Sequence, residues 1–183
     1  SQNRFDDLDT ATAKLREVKD GGMLAVTSVE RREAVQEPPL LYDLTALQKE
    51  ANSKLDFSAD KTLTLAQSLY EKKVLSYPRT GSRYISEDVF DEIPSRIMLL
   101  RQYPRFTATA SVLPDAPLNR RPVDDAKVTD HHALLITENL PEGLSQDEQA
   151  IYEMVAARLL EAFLPCCVKE MTEVALSAGG EIF

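Results

Sequence analysis

The stretch "TLTLAQSLYEKKVLSYPRTGSRYIS", Thr62 to Ser86, decides how the chain is read. In its first half Leu63, Ala66, Tyr70 and Val74 recur at spacings of three and four, the stripe of an amphipathic helix that Ser58 is placed to cap. At Tyr77-Pro78-Arg79 the pattern stops. Proline locks its own φ at about −65° and drives the residue before it out of the helical region. The tripeptide is therefore expected to be extended, so that side chains two apart point the same way. Tyr77 and Arg79 then share one target. A guanidinium offers paired planar donors that match phosphate oxygens. A phenol becomes a nucleophile once something takes its proton. The same three residues also suit a plain helix exit with a packed tyrosine and a solvated arginine, so the motif alone leaves both readings open.

Outward from this stretch the flanks change character. Asp43 is placed to cap a helix running to about Leu55, with Leu44, Leu47 and Ala51 on one face. Ser86, Glu87 and Asp88 open another, continued by Phe90, Ile93, Ile97 and Leu100, in which Pro94 is expected to force a break or a new first turn. Residues 103–129, with four prolines between Pro104 and Pro122, read as loop. Ser145 and Glu148 spell a capping box ahead of Ile151, Tyr152, Val155, Leu159 and Phe163, and Pro165 ends that helix. The ends differ. After a helical stretch from Asp6 to Val18, Met23 to Val35 alternates as a strand closed by Glu37-Pro38-Pro39, and Val168 to Leu176 reads as a second strand. The fold class is thus α+β and mostly helical, with a helical unit of residues 38–165 inserted between strand pieces at 1–37 and 166–183. The chain begins without Met and stops in strand-like sequence, and is expected to be part of a longer polypeptide.

Apolar residues make up 43% and charged residues 28% of the 183 positions, the balance of an ordinary globular protein. No apolar run approaches the roughly 20 residues of a membrane span, and the N-terminus lacks a secretion signal's pattern, so no membrane partner is expected. The only two cysteines, Cys166 and Cys167, are adjacent, which suits neither a structural disulfide nor a zinc site and favours a reducing cytoplasm. The net charge of −9 argues against a generic nucleic-acid binder, yet Glu71 to Lys127 carries ten Lys/Arg against eight Asp/Glu. A mildly basic middle inside an acidic chain permits an anionic ligand there.

A second constellation, "KVTDHHALL" from Lys127 to Leu135, holds both histidines of the chain, His131 and His132. Imidazoles donate to phosphate oxygens or trade protons near neutral pH. As metal ligands they lack a third partner at useful spacing. The plainer alternative is one packed and one exposed ring.

Together "PPLLYDLTALQKEAN" (Pro38 to Asn52), the opening stretch, "KVTDHHALLIT" (Lys127 to Thr137) and "LSQDEQAIYEMVAARLLEAFLP" (Leu144 to Pro165) resemble, in order and spacing, the type IA DNA topoisomerases, and most of all the topoisomerase III branch. The likeness covers nearly the whole chain. It implies an isomerase in which Tyr77 attacks a single-stranded DNA phosphodiester, leaving a 5'-phosphotyrosyl link and a free 3'-hydroxyl that reseals without ATP. It further implies that Arg79 neighbours the phosphate and that His131 contacts it. Arg83, Lys127 and His132 are the further candidate DNA-binding residues. The resemblance also implies a winged-helix-like nucleophile domain carried between strands of an arch domain, with hinges near Glu37-Pro38-Pro39 and Pro165-Cys166. Mg2+ is implied in a separate N-terminal domain, so no residue here is assigned to a metal. Asp7-Leu8-Asp9 has the D-x-D spelling but not the family's context. Gly81 departs from the acidic residue that many relatives carry two places after the arginine, and Asp130 is the nearest substitute. Partners implied are single-stranded DNA and the remaining domains of the same polypeptide. Two other classes stay open: a non-catalytic module binding single strands with Tyr77 and Tyr84 as stacking platforms, and a helical protein-interaction domain.

Overall fold

The computed structural model describes residues 7–21, 24–113, 117–178 and 181–182. Asp6 and Met23, used in the sequence reading, and Pro114, one of the four prolines of the stretch read as loop, lie outside them. The chain divides into two compact units, one of Ser1–Gln36 with Cys167–Phe183 and one of Glu37–Cys166.

In the first unit, helix α1 (Leu8–Asp20) is capped by Asp7, whose carboxylate accepts from the Thr10 backbone N–H and hydroxyl, both at 2.7 Å. Those bonds hold the Asp7 carboxyl below its usual range, backbone contact first. The D-x-D spelling is thus engaged in capping. Strand β1 (Ala25–Gln36) pairs antiparallel with β2 (Cys167–Ala178), from Ala25 opposite Ser177 to Gln36 opposite Cys167. A bulge between Val26 and Ser28 interrupts the ladder, and the Thr27 hydroxyl donates to the Ala175 carbonyl there at 3.1 Å. The short β3 (Glu181–Ile182) adds to β2, giving the order β1-β2-β3.

In the second unit, helices α2 (Leu44–Leu55), α3 (Ala59–Glu71), α4 (Glu87–Leu100), α5 (Thr107–Val112) and α6 (Gln146–Phe163) build one apolar core. Three helices begin where short polar side chains satisfy orphan N–H groups: Asp43 accepts from Ala46, Ser58 from Lys61 and Ser145 from Glu148. The α6 cap is a full capping box. Helix α6 buries Ile151, Tyr152, Val155, Leu159 and Phe163, each side chain giving roughly 1.5–3 kcal/mol on leaving water.

Three expectations are corrected here. Pro94 lies inside α4, which runs through it unbroken from Glu87 to Leu100. The missing N–H is tolerated because Ile93, Ile97 and Leu100 anchor the helix in the core on both sides of it. The stretch 103–129 is not all loop: α5 and a 3-10 turn at Asp125–Lys127 stand within it. On α3 the buried face is Thr62, Ala66 and Leu69, whereas Tyr70, read as part of the core stripe, is 41% exposed.

Candidate active site

Helix α3 ends in a turn at Lys73, whose φ of 60° reverses the chain. Its N–H donates to the Tyr70 carbonyl at 2.8 Å, and its own carbonyl accepts from the Thr137 hydroxyl at 2.6 Å and the Asn139 amide at 2.9 Å. The chain leaves extended, and Leu75 bridges antiparallel to Ile136. Ser76 N–H donates to Leu135 O at 2.9 Å, while Leu135 N–H donates to the Ser76 hydroxyl at 3.0 Å. Two motifs far apart in sequence are thereby locked in register.

That register brings Tyr77 and His131 together. Their ring centroids are 4.6 Å apart with planes tilted by 50°. Tyr77 also meets Tyr70, edge to face, at 5.4 Å and 77°. Tyr77 is half-buried, Pro78 buried and His131 exposed. The stitching continues past the proline: the buried Thr80 donates its hydroxyl to the His131 carbonyl at 3.1 Å, and Ser82 donates to Lys127 O at 2.9 Å. Ala133 N–H donates to Tyr84 O at 2.9 Å, and Leu134 N–H to Tyr42 O at 2.8 Å. Sequence reasoning passed over Thr80 and Ser82, whose burial only the structure reveals; a hydroxyl residue on each side of Gly81 is the hint the sequence held.

Arg79 is exposed and lines a groove of about 300 Å³ along α3 with Thr64, Gln67, Ser68 and Glu71. Among the described residues its guanidinium makes no hydrogen bond or ion pair, and the Tyr77 hydroxyl makes no hydrogen bond. The other candidates are held elsewhere. Arg83 donates from Nε to the Leu41 carbonyl at 3.1 Å. Lys127 pairs with Asp124 at 2.7 Å and lies 4.6 Å over the Tyr84 ring; the Asp124 carboxylate first, with a smaller contribution from the Tyr84 phenol, holds its ammonium above the usual lysine range. The His132 ring has a different partner from His131, its Nδ1 lying 2.6 Å from the Ala133 carbonyl. It adds a weak pull on Asp88, whose carboxyl is lowered chiefly by Ser86. Asp130 is exposed and makes no hydrogen bond to His131 among the described residues. A Cβ built on Gly81 meets nothing within 4 Å.

No three His, Cys, Asp or Glu side chains among the described residues come together as a metal site. They do not fit the Mg2+ that the resemblance implies.

A phenol ahead of a buried proline, packed against an imidazole, sits on a mostly helical unit whose flanking strands pair with each other, while Arg79 lines the groove along α3 and makes no hydrogen bond to Tyr77 among the described residues. The chain belongs to the DNA topoisomerase family, whose model matches residues 1–183. This is the family to which the motifs pointed. Among its relatives, DNA topoisomerase 3 of Shouchella clausii is 38% identical over 183 residues, 97% of this chain and 25% of that protein. DNA topoisomerase 3 of Bacillus subtilis is 34% identical over 177 residues, 94% of this chain and 24% of that protein. Full-length topoisomerase I of Thermotoga maritima superposes with a TM-score of 0.67 over all of this chain and 30% of its own, and at 23% identity shares the fold. The chain spans about a quarter of the length of the curated relatives it matches.

Proposed function

We propose that this chain is the nucleophile-bearing part of a type IA topoisomerase that cuts and reseals one DNA strand through Tyr77. The observation that carries the reading is the packing of Tyr77 against His131 at 4.6 Å, with no hydrogen bond on the Tyr77 hydroxyl among the described residues. In the cleavage step a bond forms between Tyr77 Oη and phosphorus and the bond from phosphorus to the 3'-oxygen breaks. The phenol loses its proton and the leaving 3'-hydroxyl gains one. The phosphodiester's energy is kept in the phosphotyrosyl link, so the reverse attack reseals the strand without ATP. Arg79, exposed and without an ion pair among the described residues, pairs with the equatorial phosphate oxygens, and His131, packed against the phenol, donates to the same phosphate. Arg83, Lys127 and His132 have other partners, so their part in holding the strand is through position rather than free charge.

The unit Glu37–Cys166 is the winged-helix-like carrier of the nucleophile in this reading, and the strands before and after it belong to the arch whose movement lets another strand pass. Mg2+ and the residues that hold it come from the remaining domains of the longer polypeptide, working in the bacterial cytoplasm. No step above is routed through the metal.

The test is covalent trapping. In the complete polypeptide, Tyr77→Phe abolishes the denaturant-resistant DNA adduct and leaves non-covalent binding of a single-stranded oligonucleotide within a few fold, because one hydroxyl carries the nucleophile but little contact area. An adduct that survives the substitution moves the nucleophile elsewhere. DNA binding without any adduct in the unsubstituted protein would instead favour a stacking module.

A further inference from the structure

Tyr70 is the aromatic residue that the nucleophile reading leaves unused. It stands exposed in the last turn of α3, and its ring meets Tyr77 in a T-shaped contact at 5.4 Å, a second aromatic neighbour besides His131 at 4.6 Å. A tyrosine's backbone fixed by the following proline still has two side-chain torsions free. Such a ring is ordinarily pinned through its hydroxyl, as buried tyrosines are. Here the Tyr77 hydroxyl has no hydrogen bond among the described residues, whereas its ring has two aromatic neighbours. The phenol is therefore aimed by its ring and not by its oxygen.

We propose that Tyr70 is a positioning residue, a ring wall that with His131 fixes the direction of the Tyr77 phenol while leaving its oxygen and proton free for the phosphate. The assignment rests on Tyr77 being the attacking group. It follows that only the ring of Tyr70 matters. The edge of one aromatic ring on the face of another is retained by phenylalanine and lost with alanine or leucine. Slackness of about 1 Å at a nucleophile costs roughly a hundredfold in rate, and partial slackness proportionately less. Tyr70 is supported from below by the Lys73 N–H on its carbonyl, so removing the ring leaves the helix end in place.

The experiment is single-turnover adduct formation by the complete polypeptide on a single-stranded oligonucleotide, titrated to saturation, with melting as a folding control. Tyr70→Ala and Tyr70→Leu are expected to lower the saturating rate roughly tenfold with half-saturation and melting unchanged, while Tyr70→Phe keeps the parent rate. Tyr70→Leu keeps apolar bulk and guards against a folding defect in Tyr70→Ala. A parent rate in both truncations overturns the proposal. So does a Tyr70→Phe defect equal to that of Tyr70→Ala, which makes the hydroxyl the active part. A change confined to half-saturation also overturns it, making Tyr70 a base-stacking platform. Tyr77→Phe runs alongside: an adduct in that variant overturns the nucleophile reading itself, while its loss together with a fully active Tyr70→Ala overturns only the role of Tyr70.

Discussion

The two neighbouring histidines divide sharply at the scale of single residues. His131 lies against Tyr77, and its backbone carbonyl is held by Thr80, whereas the His132 ring nitrogen lies against Ala133 O. In the complete polypeptide His131→Ala is expected to lower adduct formation by at least tenfold more than His132→Ala, since adjacent side chains with opposite neighbours cannot both serve one phosphate. Equal effects of the two, measured as single-turnover rates, would show that neither ring touches the reacting group. Gly81 raises a separate question, because a glycine next to such a site is often required by the backbone. Its added Cβ has open space, and its φ lies outside the left-handed range that would exclude a side chain. Gly81→Asp is accordingly expected to change folding stability by no more than about 0.5 kcal/mol, the usual span for an unstrained surface position. A loss above about 1 kcal/mol in denaturant melts would mean that the backbone does need the glycine.

Between elements, α3 and α6 are joined by a polar clasp set into the edge of the core. Glu148, nearly buried, accepts from Lys72 at 2.6 Å, from the Ser68 hydroxyl at 2.7 Å and from the Ser145 N–H at 2.8 Å. Lys72 first, then Ser68 and Ser145, hold its carboxyl at about 2, below the ordinary 4.5. A folded-state pKa below the unfolded one gives stability that is complete above the unfolded value and fades as pH falls through the folded one. The clasp therefore supports the fold fully at neutral pH and loses its contribution between about pH 4.5 and pH 2. Glu148→Gln is expected to cost about 2 kcal/mol at pH 7 and to flatten the fall in stability across that window. An acid limb as steep in the variant as in the parent, followed by urea melts against pH, would assign the acid sensitivity to other carboxylates. Elements of this kind were legible in the sequence because they are local: Asp43, Ser58 and the pair Ser145/Glu148 announce their helices within four residues. The continuity of α4 through Pro94 and the outward turn of Tyr70 were not legible, because each is decided by which neighbours complete the core. Nor could spacing show that Tyr77 would meet His131, since that contact follows from the pairing of Leu75 with Ile136.

For the molecule as a whole, the division of labour follows from where the core lies. The large apolar cluster belongs entirely to Glu37–Cys166, with Tyr77, Arg79 and His131 on that same unit. The other unit is assembled from both ends of the chain, and its ladder closes with Gln36 opposite Cys167 where the helical unit departs and returns. The proposed strand passage asks for more than this. A phosphodiester under attack carries charge that the Arg79 guanidinium and the His131 imidazole only partly offset, and the described residues gather no cluster able to hold a cation beside them. Those partners must come from outside this chain if the proposed reaction is right. The chain by itself is then expected to show no relaxation of negatively supercoiled DNA at any Mg2+ concentration, by gel mobility, while still melting cooperatively through the core of its helical unit. Relaxation restored in the complete polypeptide, and again lost with Tyr77→Phe, places the missing parts in the chemistry of cleavage. Brisk Mg2+-dependent relaxation by the chain alone would mean that it gathers its own metal ligands once DNA is bound, and that the division between nucleophile and metal-binding parts is drawn in the wrong place.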